Sequence, residues 1–515
     1  MARCTISRST AAVYMIYVDT MPKETAILAG QQDVNKKKKT YFYRHFLWCF
    51  NINHYLCTRN MNRITGLSKS NIMKKVFITM CISLLMPLSL QAEVGEIFTA
   101  VNEDGIEMQY VIISENCVEL EYVFKQEDPQ TGQYCYSKDH LTIPSEVNGY
   151  KVTMIGGNFL SPNNDIKSVT IPESVTILED DIFMYCEALE SIFIPKSVEY
   201  IGGFPFSNCY ALKSIVVDED NLFYDSRDNC NALIRKEDGT LMKGCDNSFI
   251  PNGVKHIGAT AFKDCLNLNH LTIPEGVESL EEACFWGSMI ESIDIPASVV
   301  AIGTYAFWHS KLSTITFAEN SQLREIRAQA FISTNLQGDL NLPNSVSYIG
   351  AGAFRVCGSL KSVRLPESLK SIGKGAFSDC NSLECVIIPT SVKEYGVGTF
   401  WDCKGIKDIY SYNSNPAPLD VSVFDFSSWN HQNHYEDATL YVPKGSIDNY
   451  QSTDGWKQFK HIVEMEGMGI KSVTDTGVSS ESTHYDLSGV LSAPCVKGIR
   501  VLKMKDGRVK KVITK

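Results

Sequence analysis

Basic charge is scarce over most of this 515-residue chain. Of its 48 Lys and Arg, 13 fall in the first 92 residues, which hold only 3 of the 59 Asp and Glu. The rest carries 35 basic against 56 acidic residues, a net charge of −21. Phosphate binding needs a basic surface that releases counterions, so nucleic acid is not an expected partner. The apolar run from Val76 to Leu90 is too short for a stable bilayer anchor, which argues against a transmembrane segment. Catalytic signatures are also missing. Ser191 and its equivalents lie outside any nucleophile elbow, and Gly202-Gly203 is turn punctuation without a phosphate loop. His431 and His434 have a three-residue spacing with Asp425 and Glu436 near, but the clustered third ligand of a metal site is lacking, so an exposed polar loop is expected there. The reading is of no enzyme, no cofactor and no metal. The 17 cysteines, 13 of them after residue 92, are an odd number in the mature part, which argues against a fully paired disulfide framework.

What the chain does have is a repeat. Phe354, Phe377 and Phe400 are 23 residues apart, as are Pro343, Pro366 and Pro389, and the phenylalanine recurs upstream at Phe262, Phe285, Phe307 and Phe331. A fixed period of this length means a stacked array in which each coil buries its apolar side against its neighbours. Within the unit, apolar residues with period two, as at Ile192 and Ile194, read as a half-buried strand that the following proline ends. A second short extended run and a glycine turn follow, and Ala-Phe-x-x-Cys rounds the corner with the phenylalanines stacked inside. No long helix is indicated. Cys186, Cys209, Cys265, Cys357, Cys380 and Cys403 each stand three residues after a repeat phenylalanine, where other coils place Ser288, Ser310 or Thr334. That position wants a small, partly polar group that contacts backbone at a tight bend.

Met73 opens a secretory signal: two lysines, the short apolar run, and a small residue at Ala92. Translation is therefore expected to start at Met73, with residues 1–72 a mis-annotated upstream region, 73–92 the signal peptide, and the product secreted or on the outer cell surface. Residues 93–150 alternate in short runs and read as an N-terminal β cap that covers the first open edge. The array runs over 151–408. Pro195 and Pro251 are 56 residues apart, so one coil carries an insert, read as a hairpin at about 218–246 that bulges from it. Between Pro296 and Pro343, Phe317-Ala318 replaces the usual Ile-Pro, and the coil is expected to survive. Residues 409–466 read as a C-terminal cap with one strand, a short helix ending in Trp456 and a closing strand, 467–483 as a linker, and 484–515 as a small β module with a hairpin turn at Lys505-Asp506-Gly507.

The repeat IPESVTILEDDIFMYCEALESIFIPKSVEYIG resembles the BspA-type, or Treponema-type, leucine-rich repeats of surface and secreted proteins of Bacteroidota and oral spirochaetes. Pro, Ile-Gly, Ala-Phe and Cys recur in fixed order over roughly 140–466. The resemblance implies a mainly β leucine-rich-repeat solenoid of about 23-residue rungs with parallel strands, small β caps at both ends, and a non-catalytic role in protein binding or adhesion, host matrix proteins among the partners. The end of the chain, YDLSG…KGIRVLKMKDGRVKKVITK, is similar to type IX secretion sorting domains, departing from them at Leu491 to Pro494 and at Arg500; a plain β tail is the other reading.

The residues the repeat leaves free are those between the buried pair of each strand: Thr170, Phe193, Val216, Phe249, Thr272, Asp294, Thr316, Asn341, Arg364, Ile387 and Tyr410. With strands about 4.8 Å apart, Phe193, Val216 and Phe249 are expected to form one exposed apolar patch, and Ile387 and Tyr410 a second. Each is a candidate surface for a protein or peptide ligand, or else packs under a covering loop such as the insert. The alternative function is glycan binding, for which Trp286 and Trp308 on adjacent coils are candidates, against packing at the turn.

Overall fold

The computed structural model describes residues 94–127, 133–136, 138–425 and 434–465, and the backbone of 484–485, 498–503 and 509–514. The proposed signal peptide, the linker and the Lys505–Gly507 turn lie outside the described residues. The chain winds into a parallel β-solenoid of about 13 turns, mainly β, with rungs about 23 residues apart. In Ser191–Ile194, Ile192 and Ile194 are buried and Phe193 between them is exposed, because successive side chains of a strand point to opposite faces. Ile192 pairs with Ile215, so each strand repeats its register one coil later. Pro195 ends the strand and its carbonyl accepts from the Val198 amide at 3.2 Å, turning the chain into the two-residue strand Tyr200–Ile201. The longer strands build one face of the coil and the two-residue strands the other. Thr314–Phe317, the coil without Ile-Pro, still pairs in parallel with Ser292–Ile295.

A column of phenylalanine rings fills the corner. From Phe262 through Phe285, Phe307, Phe331, Phe354 and Phe377 to Phe400, consecutive rings stack at 5.0–5.5 Å, and removing one such fully buried ring costs about 3–5 kcal/mol. The cysteine behind each ring is explained by the same geometry. Cys357, Cys380 and Cys403 donate their thiols to the carbonyls of Phe331, Phe354 and Phe377 one coil back, at 3.2, 3.2 and 3.0 Å. Ser288 and Thr334 in that position donate to the carbonyls of Phe285 and Phe331, each at 2.9 Å. The position asks for a small donor, which is why Cys, Ser and Thr exchange there.

The stack is interrupted once. The insert forms Tyr224–Asp225, Leu233–Arg235 and Thr240–Lys243 in antiparallel order. Its last strand does not bulge away. It enters the two-residue-strand face, where Leu241 pairs with Ile257 of the next coil. Gly244 stands beside Phe262, and a Cβ on it would lie 2.3 Å from the ring. The strands on both sides of this seam would lose a neighbour, and side chains of the insert replace it. Asn231 accepts from the Ile215 amide at 2.9 Å, Ser226 from Val217 at 3.0 Å, and the Tyr224 hydroxyl from Ile201 at 2.8 Å. Buried Asn221 donates to the carbonyls of Pro195 and Val198 and accepts from the amides of Phe223 and Tyr224. Two cores meet here, one reaching Leu233 from the N-terminal side and one starting at Cys230 and Ile234.

At the N-terminal end, Ile97–Val101, Glu107–Ser114 and Cys117–Val123 form an antiparallel meander whose last strand pairs in parallel with Tyr150–Ile155. At the other end the coil continues past Ile409: Phe424 stacks on Phe400 at 5.2 Å, and Asp408–Ser411, Thr439–Val442 and His461–Glu464 pair in parallel. A short helix, Ile447–Ser452, precedes the Trp456–Gln458 turn. There Tyr450 bonds Ser411 and Trp456 donates to the Ala417 carbonyl at 2.9 Å. The backbone of 484–514 shows three antiparallel strands.

Candidate functional site

The outward positions of the longer strands follow the expected register for most of their length. Thr170, Phe193, Val216, Phe249, Thr272, Asp294, Thr316 and Asn341 are all exposed. Phe193 and Val216 are direct neighbours across paired strands, and with Phe249 they are 47%, 45% and 46% exposed. The insert does not fold over them; its polar side chains are spent on the strand edges beside Val216. Three bare apolar side chains thus stand together on the N-terminal half of the face.

The second expected patch is corrected. Arg364 is half-buried, and Ile387 and Tyr410 are buried, at 1% and 7% exposure. They form a separate apolar cluster with Cys385 and Met465, against which Tyr412 and Tyr441 pack. The Tyr410 and Tyr441 rings stack at 4.5 Å. The physical reason is that Tyr441 and Met465 come from the non-repeating end of the chain, whose return over the face the repeat does not encode. Ile387 and Tyr410 are therefore core, not ligand surface.

Cys385 also differs from the coil cysteines. It points outward on its strand, inside this same cluster, and is disulfide-bonded. The cysteines behind the phenylalanines are free and buried. Burial pushes the thiols of Cys209 and Cys265 up to about 12 and that of Cys230 to about 11, so they stay protonated at neutral pH and are poor nucleophiles and metal ligands.

Trp286 and Trp308 stack on each other at 4.5 Å, with Lys263 Nζ 4.9 Å over the Trp286 ring and Tyr305 5.0 Å from Trp308. Protein groups occupy their flat faces, which is corner packing rather than an open platform for sugar. His431 lies outside the described residues. His434 is not in an exposed loop: it begins the short helix His434–Asp437 and is 3% exposed. Burial lowers its pKa to about 4, opposed by a hydrogen bond with the Cys403 backbone and by Asp437. Among the described residues no three His, Cys, Asp or Glu are placed to hold a metal ion, and no helix is long and apolar enough to cross a membrane.

Stacked parallel coils, a phenylalanine corner and a strand face with variable outward residues define a leucine-rich-repeat solenoid. A model of the BspA type leucine rich repeat region (6 copies) matches residues 115–230, 243–338 and 324–437, and the chain belongs to that family. Three solved structures are similar to it. A leucine rich cell surface protein from Faecalibacterium prausnitzii A2-165 is 21% identical with a TM-score of 0.42, over 70% of this chain and 98% of its own. A leucine-rich repeat protein from Bacteroides ovatus ATCC 8483 is 22% identical with a TM-score of 0.38, over 69% and 86%. One from Eubacterium ventriosum ATCC 27560 is 19% identical with a TM-score of 0.41, over 65% and 98%. No curated protein matches the chain.

Proposed function

We propose that this is an exported, non-catalytic binding protein whose strand face docks a protein or peptide at Phe193, Val216 and Phe249. The observation that carries the reading is that these three apolar side chains lie together and uncovered, although the same register is covered farther along. Aromatic anchors in a polar surround are the usual centre of a protein interface, where burying one contributes about 2 kcal/mol or more. Repeat membership supports the reading, since a solenoid offers a long continuous face and little enclosed space for chemistry. In the same proposal the signal at 73–92 directs export, and the 484–515 module acts as a sorting signal. The partner class is extracellular protein, host matrix proteins included.

The test is surface-immobilised protein exposed to a panel of purified matrix proteins beside a glycan array. Saturable binding to a matrix protein that weakens about 100-fold in the Phe193→Ala/Phe249→Ala double variant is the expected result, from two anchors at about 1.4 kcal/mol each. Binding that ignores both substitutions, or that appears on the glycan array alone, overturns it.

A further inference from the structure

A trough of about 500 Å³ lies on the corner of the C-terminal coils, floored by Gly352, Gly375 and Gly398 and bounded by Arg355, Lys374 and Trp401. We propose that it binds an acidic oligosaccharide, a chain bearing uronate or sulfate groups, independently of the strand face.

The lining is charged against the trend of the molecule. The whole chain carries a net charge of −11, yet the trough has two cationic side chains and no carboxylate in its lining. Arg355 bonds Asp379 at 3.0 Å, which fixes its guanidinium, while Lys374 makes no ion pair among the described residues. Such a lining favours an anion over a neutral ligand. Trp401 stands at the lip with 37% of its surface exposed, the largest apolar surface in the trough. Unlike Trp286 and Trp308, it stacks on no other ring among the described residues. The amide of Gln329 and the hydroxyls of Ser378 and Ser422 complete the walls. An aromatic face, cations and short polar groups around an open, shallow floor match a flat, polyhydroxylated, anionic ring; a lipid or apolar peptide would find too little apolar wall.

The space itself is not forced by the fold. In every coil the residue before Ala-Phe or its equivalent has a left-handed backbone, and most coils still carry a side chain there: φ is 52° at Phe204, 57° at Thr260, 58° at Tyr305 and 55° at Gln329. Gly352, Gly375 and Gly398 share that conformation, at 61°, 58° and 64°. Nor does packing exclude a Cβ at Gly375, where the nearest atom would be Ser378 Oγ at 3.4 Å. Two residues earlier the case differs: at Gly350, Gly373 and Gly396 a Cβ would lie 2.5, 2.3 and 2.3 Å from backbone nitrogen of the preceding coil. Those glycines are required by coil spacing. The trough glycines leave room that neighbouring coils fill, over three coils and about 10–14 Å.

The test is isothermal titration of the full chain with an oligogalacturonate, a sulfated heparin hexasaccharide, a neutral gluco-oligosaccharide and hexaglutamate. Saturable binding of at least one anionic saccharide is expected, weakened about tenfold by Lys374→Glu and abolished by Gly375→Gln, which fills the floor with the side chain Gln329 already places in the same backbone conformation. Melting temperatures of both variants should match the parent, and because Lys374 is exposed its variant reports on the site even if Gly375→Gln folds poorly. The proposal is overturned if neither anionic saccharide binds, if the neutral one or hexaglutamate binds as tightly, or if Lys374→Glu leaves the affinity unchanged. Binding at the Phe193 patch is unaffected by either outcome.

Discussion

Phe193 and Ile387 occupy the same place in the repeat, the outward residue between two buried ones on a longer strand, and they have opposite fates. Phe193 is 47% exposed and Ile387 is 1% exposed. Nothing within the coil separates them, since both strands are parallel-paired on either side in the same register. The difference is what comes back over the face: at Ile387 the end of the chain supplies Tyr441 and Met465, whereas at Phe193 the insert spends its polar groups on strand edges. A repeat therefore fixes which side chains point out, and non-repeating segments decide which of them meet water.

The largest effect that would break this comparison is a charge placed at both positions. Ile387→Asp should cost about 4 kcal/mol, because a carboxylate enters a closed apolar cluster with no cation to pair it. Phe193→Asp should change stability by no more than about 0.5 kcal/mol, as an exposed substitution does. Denaturant unfolding of the two variants measures both, and similar losses would mean that Phe193 is as much core as Ile387.

How far this was legible follows from the same pair. Alternation within Leu-x-x-Ile-x-Ile identified the inward and outward sides of every strand, and the 23-residue period identified the stack. Phe424 was also within reach: it lies 24 residues after Phe400, a spacing the column uses elsewhere, but the Ala-Phe-x-x-Cys context that marked the other rings is missing around it. The burial of Ile387 and Tyr410 was out of reach, because Tyr441 and Met465 belong to no pattern and meet the face only after the chain folds back. The seam was half legible. Spacing located the insert, while the use of Asn221, Tyr224, Ser226 and Asn231 as substitutes for a missing strand depends on single side chains reaching backbone atoms across coils.

That seam supplies a test of intermediate size, since it divides the exposed end from the covered one. Asn221 is 1% exposed and makes four hydrogen bonds with backbone. Asn221→Ala leaves those groups buried without partners and should cost about 3 kcal/mol. Because the two cores meet there, the loss should fall on the N-terminal coils, and hydrogen exchange should show residues 168–217 opening at lower denaturant than 256–411. Equal destabilisation of both halves would show that the cores unfold as one unit.

Acid should separate the two ends by the smallest margin. His434 lies in the covered, C-terminal end with a pKa lowered by burial to about 4, against an unfolded value near 6.5. Above pH 6.5 neither state holds the proton and nothing is lost. Below it the unfolded chain binds the proton first, so stability falls as pH drops from 6.5 toward 4, by about 2 kcal/mol at pH 5, and then levels off. The insert responds later. Asp238 is held down to about 2 even though burial alone would raise it, because Arg235 and Thr240 hydrogen-bond its carboxylate. Its contribution is present above pH 3.8 and is lost only as pH approaches 2. Melting followed by hydrogen exchange between pH 7 and 4.5 should therefore loosen residues 434–465 while the seam holds, and His434→Gln should remove that acid step. If the variant weakens with acid as the parent does, a different group drives the loss, and His434 does not set the pH response of the covered end.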